Sequence, residues 1–106
     1  MKPKNRTLHS LQIDIRDSRL LLGAKRLVMD AIILRASAKS SWSCSPSYRQ
    51  LTGDTGLHPT TIKRAVRVLV SAALIRREIR QNDSNLYFIR CDLIQLLAAG
   101  MREKDS

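Results

Sequence analysis

Aromatic residues are scarce in this chain of 106 residues, where one Trp, two Tyr and one Phe make up 4% of the sequence. A core with so few aromatic rings must be built from Leu, Ile, Val and Ala, which favours helices over a large sheet. The shortage also argues against binding of single strands or structured RNA, because those functions depend on stacking of bases on aromatic rings. Two cysteines, Cys44 and Cys91, are too few for a disulfide framework.

Long apolar segments are also missing. No run approaches the ~20 apolar residues that span a bilayer. The basic start of the chain, Met1 to Arg6, is not followed by the apolar segment of a secretory signal. These two absences predict a cytoplasmic protein with no membrane partner.

The motifs of common catalytic sites are absent as well. The chain has no glycine-rich phosphate loop, no Gly-x-Ser-x-Gly and no paired carboxylates in an apolar setting. The four side chains that could bind zinc lack metal-ligand spacing; they are His9, His58, Cys44 and Cys91. We therefore expect no enzyme, no metal or other cofactor, and no small-molecule ligand.

Positive charge is what the chain has in excess, with 19 Lys and Arg against 9 Asp and Glu and a net charge of +10. This excess on one small domain costs self-repulsion and usually indicates a polyanionic partner, either nucleic acid or an anionic membrane. The alternative is a basic protein whose charges are merely solvated. Residues 91–106, with two basic and three acidic side chains, do not share the excess.

The first part of the chain divides into an arm and a helix. The sequence predicts a basic N-terminal arm over residues 1–17. Near its end, Leu11, Ile13 and Ile15 alternate with polar residues, and this period of two predicts a short extended stretch. Over residues 19–38 the apolar residues return at helical spacing, which predicts one long amphipathic helix.

Two shorter helices are predicted next. Ser45 and Pro46 have the pattern of an N-cap followed by proline in the first turn, so we expect a helix from Pro46 to about Thr52. Gly56 is the expected left-handed residue of the following turn. The second helix is then predicted over residues 59–72, with His58 as its cap.

The last third predicts a hairpin and a final helix. Residues 74–80 and 86–89 alternate as strands on either side of a polar turn. Asp92 is the expected N-cap of a helix over residues 93–101.

The segment YRQLTGDTGLHPTTIKRAVRVLVSAALIRRE resembles the helix-turn-helix of winged-helix regulators, and it is similar to the group found in phage, plasmid and bacterial DNA-binding and replication-initiation proteins. The residues in the slots that carry this resemblance are Leu51, Gly56, Leu57, Thr61, Ile62, Arg64 and Leu69. Two residues depart from the pattern, Thr52 in place of a small alanine and His58 in place of a Ser or Thr cap.

The resemblance implies a mainly α fold with a small antiparallel β-hairpin wing. It places a winged helix-turn-helix DNA-binding domain over residues 18–90, between the arm at 1–17 and a C-terminal helix and tail at 91–106. The protein is then expected to associate with the bacterial nucleoid.

The second of the two short helices has the two faces that a recognition helix needs. Apolar residues at helical spacing face the core, while the outward face carries three cations and no carboxylate. A merely solvated face would normally mix Glu with Lys. An α-helix fits the major groove, and its free N-terminal N–H groups attract anions.

The hairpin is the second expected DNA contact, through the backbone or the minor groove. Because alternate residues of a strand face opposite sides, Arg76 and Arg80 share one face and Arg77 takes the other; we expect Arg80 to contact DNA first. For Arg76 the alternative is a charged, solvated sheet edge. The DNA-binding residues that we expect are Arg49, His58, Thr60, Thr61, Lys63, Arg64, Arg67, Arg77, Arg80, Asn82 and Asn85.

The final helix is apolar almost all round, so one domain core should not cover it fully. We therefore expect it to pair with a second copy in a two-fold dimer, although a monomer whose last helix closes the core is the alternative. The expected interface residues are Leu93, Ile94, Leu96, Leu97 and Met101.

These patterns predict sequence-specific binding of double-stranded DNA by a homodimer. The role would be transcriptional regulation, or replication or partition of a phage or plasmid. The alternative is a winged-helix module for protein–protein interaction that docks an acidic partner. The discriminating observation is salt-dependent binding to duplexes.

Overall fold

The computed structural model describes the backbone of residues 8–18, 21–36, 42–79 and 85–105. Over these residues the chain is mainly helical and has a small antiparallel sheet of three strands, as the composition predicts. In chain order the elements are α1 (Leu8–Ser18), α2 (Ala24–Ala36), β1 (Ser43–Cys44), α3 (Tyr48–Thr55), α4 (Pro59–Ser71), β2 (Ile75–Ile79), β3 (Asn85–Ile89) and α5 (Cys91–Asp105).

Residues 8–18 form a helix, so the predicted arm over residues 1–17 and the extended stretch within it are wrong for this part of the chain. Leu11, Asp14, Ile15 and Ser18 are all buried, and their spacing of three, one and three residues follows the helical period. The alternation of Leu11, Ile13 and Ile15 suggested a period of two, but the core on which this face packs selects the helical period.

Helix α2 lies at the centre of the fold and packs against α1, α3, α4 and the sheet. It begins at Ala24 and not at residue 19 as predicted. The residue before it, Gly23, has φ 61° in the left-handed region and so cannot be part of the helix. The carbonyl of Gly23 accepts the N–H of Leu27 at 3.1 Å, which is the first hydrogen bond of the helix. The inward side chains of α2 are fully buried and form the aliphatic centre of the core; they are Val28, Met29, Ile32, Ile33 and Ala36.

Helix α3 begins two residues later than predicted, because Ser47 and not Ser45 is its N-cap. The Ser47 hydroxyl accepts the N–H of Gln50 and the Gln50 side chain accepts the N–H of Ser47, both at 3.0 Å, which completes a capping box. The helix continues through Gly53 and ends before Gly56, which has φ 76° as predicted. A left-handed C′ residue of this kind is most often glycine.

Helix α4 has both of the predicted N-terminal signals. Pro59 is in its first turn and His58 is its N-cap. At the other end Leu74 donates its N–H to the carbonyl of Leu69 and Ala73 donates to Val70, the pair of bonds that defines a Schellman motif. Ala73 has φ 62° and holds the left-handed position of this motif without being glycine.

The sheet has the strand order β1–β3–β2, and all pairs are antiparallel. The predicted hairpin is therefore present as β2 and β3. Its register places Ile75 opposite Ile89 and Arg77 opposite Tyr87. Ile75, Tyr87 and Ile89 are buried on one face of the hairpin, so this is the face that covers the core.

Helix α5 is longer than predicted, with Asp92 in its first turn and not at its cap. It packs mainly against α1. Arg102 of α5 joins the two helices through ion pairs with Asp14 at 2.8 Å and Asp17 at 2.7 Å. The last helix is therefore held by the very segment that was predicted to be an arm.

Candidate nucleic-acid interface

His58 caps α4 through its imidazole. The Nδ1 atom accepts the backbone N–H of Thr60 at 3.1 Å while the backbone of His58 stays extended, with φ −65° and ψ 145°. The cap satisfies one of the N–H groups that a helix N-terminus leaves open. Of the two ring nitrogens, Nε2 is the one that this arrangement leaves for a contact outside the protein.

The two faces of α4 differ sharply in exposure. Ile62, Ala65, Val66 and Leu69 are buried, and none of them is more than 3% exposed. The predicted contact residues of α4 lie on the other side, with Thr61 at its edge. Thr60, Lys63, Arg64 and Arg67 are exposed and Thr61 is half-buried. No Asp or Glu occurs in the whole of α4.

Five described arginines outside α4 are paired with carboxylates. These ion pairs are Arg16 with Asp17, Arg26 with Asp30, Arg35 with Asp54, Arg76 with Glu78, and Arg102 with Asp14 and Asp17. In the part of the chain that the structure describes, the cations that lack a carboxylate within 4.0 Å are Lys25, Arg49, Lys63, Arg64, Arg67, Arg77 and Arg90. The predicted cations of α3, α4 and β2 are all among these unneutralised ones.

The first turn of α3 adds two residues to this surface. Arg49 is exposed, as predicted. Tyr48, its neighbour, is half-buried, and its ring centroid lies 5.5 Å from the ammonium nitrogen of Lys63. This distance is within the range of a cation–π contact. The sequence did not indicate this contact, because nothing in the spacing of residues 48 and 63 predicts it.

The hairpin separates its arginines by face. Arg76 packs its guanidinium 4.2 Å from the centroid of the Phe88 ring and pairs with Glu78 at 2.9 Å. Both partners lie on its own side of the hairpin. Arg77 lies opposite Tyr87 on the other side and is half-buried. Arg76 is therefore a residue of the sheet surface, which was the alternative proposed for it. Arg80 and Asn82 lie outside the described residues.

Asn85, a predicted DNA contact, is engaged within the protein. Its Nδ2 atom donates long hydrogen bonds to the hydroxyls of Tyr48 at 3.5 Å and Tyr87 at 3.4 Å. Its carbonyl accepts the Ser45 hydroxyl at 3.0 Å. These contacts join the base of the hairpin to the segment that leads into α3.

Two buried groups of the sheet have raised pKa values. Burial raises the pKa of Tyr87 to about 12, although the hydrogen bond from Asn85 opposes the shift. Burial likewise raises the pKa of Cys44 to about 11, and its thiol donates to the carbonyl of Ile32 at 3.5 Å. Both groups are therefore neutral near pH 7.

The predicted dimer face on α5 is largely covered within one chain. Ile94 is fully buried in the core and so cannot form an intermolecular contact, contrary to the prediction. Leu93, Leu97 and Met101 are half-buried, and Leu96 alone of the five is largely exposed, at 70%. The prediction is wrong for Ile94 because it did not foresee that residues 8–18 form a helix that packs against α5.

Comparisons of the chain with protein-family models, with curated proteins and with solved structures gave no match. Among the described residues no helix is long and apolar enough to cross a membrane. The function must therefore be inferred from the surface itself.

Proposed function

We propose that this protein binds double-stranded DNA as a winged helix-turn-helix protein, with α4 in the major groove and the β2–β3 hairpin as its wing on the backbone or in the minor groove. The observation that carries this proposal is the contrast between cations. Arg64 and Arg67 stay exposed without a carboxylate partner on a helix that contains no acidic residue. Five described arginines on α1, α2, β2 and α5 are instead paired with carboxylates.

The geometry of α4 supports groove binding. Thr60, Lys63, Arg64 and Arg67 stand at positions i, i+3, i+4 and i+7, so they lie on one side of the helix. Arginine and lysine bind guanine edges in the major groove, and threonine contacts bases or phosphates. The cations of this surface repel one another in the free protein, and a bound polyanion relieves that repulsion.

The biological role that fits this surface is sequence-specific binding for transcriptional control, or for replication or partition of a mobile element. The second candidate is a protein-interaction module that docks an acidic partner, which the same unneutralised cations would also attract. A homodimer remains part of the first proposal. Its interface would use surface other than the covered side of α5.

Selection of bound duplexes from a random pool tests the proposal. A recovered motif would establish sequence preference, and a palindrome would indicate two-fold symmetry. Enrichment of no motif, together with binding to acidic polypeptides, would favour the second candidate.

The recovered duplex then allows single residues to be tested. Arg64→Ala and Arg67→Ala should each weaken binding by about 1–3 kcal/mol, roughly 5- to 150-fold, if these residues contact bases. Arg16→Ala is the matched control, since it removes the same charge from an exposed arginine on α1 that is paired with Asp17. Equal losses in all three variants, or wild-type affinity in the two α4 variants, would contradict the assigned role of α4.

A further inference from the structure

Tyr48 touches both halves of the proposed interface. It is the first residue of α3, and its ring lies 5.5 Å below the ammonium nitrogen of Lys63 on α4. Its hydroxyl accepts a hydrogen bond from Asn85 at the start of β3, at 3.5 Å. One half-buried side chain thus connects the proposed recognition helix to the proposed wing.

The wing side of this connection is anchored at several points. Asn85 also donates to the hydroxyl of Tyr87, which is only 1% exposed. The hydroxyl of Ser45 donates to the Asn85 carbonyl at 3.0 Å. The start of β3 is therefore held from two sides, and Tyr48 contacts a part of the hairpin whose position is already determined.

The kind of contact that Lys63 makes matters for its charge. A carboxylate partner would orient the ammonium but would also cancel its charge. Asp30 and Asp54 do this for the guanidinium groups of Arg26 and Arg35. The face of an aromatic ring attracts the ammonium without neutralising it. Lys63 is therefore oriented and still carries a full positive charge toward solvent.

We infer that Tyr48 is a positioning residue, which holds the Lys63 ammonium in place for a DNA phosphate and joins α4 to the hairpin. This inference rests on the proposed DNA-binding function. Tyr48 itself need not touch the duplex, and it acts through Lys63.

A double-mutant cycle tests the inference with a short mixed-sequence DNA duplex at low salt as the probe. Tyr48→Leu removes the ring and should weaken binding about two- to fivefold, the range of one partly exposed cation–π contact. In a Lys63→Met background the same change should have no further effect, because its target is already gone. Tyr48→Phe keeps the ring and should restore most of the wild-type affinity.

A second measurement follows the contact in the free protein. The ε-methylene protons of Lys63 should be shifted upfield by the ring current in the wild-type and Tyr48→Phe proteins, and this shift should vanish in Tyr48→Leu. Urea unfolding of each variant shows whether the fold is retained. In the cycle any stability loss from Tyr48→Leu is present in both backgrounds and therefore cancels.

The outcomes separate the two proposals. If the wild-type protein binds the duplex but Tyr48→Leu has wild-type affinity, or the two substitutions are additive, the positioning role is overturned while DNA binding stands. If the wild-type protein has no affinity for duplexes even at low salt, the proposed function itself fails and this role fails with it.

Discussion

Ala73 occupies a backbone conformation that suits glycine. Its φ of 62° lies in the left-handed region, where the Cβ of an L-residue costs roughly 1–2 kcal/mol. The Schellman bonds at the end of α4 hold it there. The residue thus stores strain at the junction between the proposed recognition helix and the hairpin.

Ala73→Gly should therefore stabilise the protein. The relief of strain exceeds the extra chain entropy that glycine loses on folding, so we expect the free energy of unfolding to rise by about 0.5–1 kcal/mol. Ala72→Gly is the matched control, because Ala72 has φ −81° and should lose stability on the same change. Urea unfolding measures both, and a lower stability for Ala73→Gly would show that its backbone is not strained.

The two cysteines differ in chemical environment. Cys44 is 7% exposed and burial raises its pKa to about 11, whereas Cys91 is half-buried. Because the thiolate is the reactive form, Cys44 should be labelled by a thiol reagent at pH 8 only as fast as the protein opens. We expect one fast and one slow labelled thiol in the native protein and two fast thiols in urea. Cys44→Ala should remove the slow phase, and its persistence would contradict the assignment.

At the scale of elements, α1 determines which side of α5 remains exposed. The two helices pack against each other, both carry buried apolar side chains, and Arg102 joins them at the surface. These buried residues include Leu11 and Ile15 on α1 and Ile94 and Ala98 on α5. Because α1 covers the apolar side of α5, that side does not need a second copy to remove it from water. An interface between copies would have to involve Leu96 or a different element.

The ion pairs of Arg102 make the α1–α5 packing sensitive to acid. A hydrogen bond from Arg102 is the largest cause that lowers the pKa of Asp17 from its ordinary value of 3.8. Since the folded-state pKa is depressed, this pairing stabilises the protein at pH values above the unfolded pKa. The stabilisation is lost as the pH falls through the lower folded-state pKa.

Arg102→Gln should raise the pKa of Asp17 toward its ordinary value and reduce stability at neutral pH. The stability difference from wild type should disappear in acid, where Asp17 is protonated in both proteins. Carboxyl titration by NMR and urea unfolding at several pH values measure these effects. Arg76→Gln, which removes the exposed pair with Glu78, should leave the titration of Asp17 unchanged. An unchanged pKa of Asp17 in Arg102→Gln would refute the coupling.

At the scale of the whole molecule, the charge of +10 should govern binding. The proposed interface has five described cations, Arg49, Lys63, Arg64, Arg67 and Arg77, and Arg80 is a sixth predicted one. With about five to six phosphate contacts, log K should fall against log salt with a slope of roughly −4.5 to −5.5. An Arg64→Ala/Arg67→Ala protein should show a slope shallower by up to ~2. Fluorescence titrations across a salt series measure both slopes. A wild-type slope near zero would exclude phosphate contacts as the basis of binding.

Short-range signals predicted most of the proposed interface. The cap at His58, the left-handed Gly56 and the alternation of the hairpin involve residues close together along the chain, and the structure confirms them. The two faces of α4 were predictable for the same reason, since the period of one helix assigns Ile62 and Arg64 to opposite sides whatever packs around it.

Contacts between distant residues could not be predicted in this way. Residues 11–15 fit both a period of two and a helical period, and packing on α5 and α2 selected the helix. Tyr48 and Asn85 are 37 residues apart and meet only after the hairpin has folded onto α3. The order of the residues therefore determined the local elements and the cationic face of α4, because those depend on neighbours in the chain. The packing of α1 on α5 and the contact between Tyr48 and Lys63 depend on which surfaces meet when the chain folds.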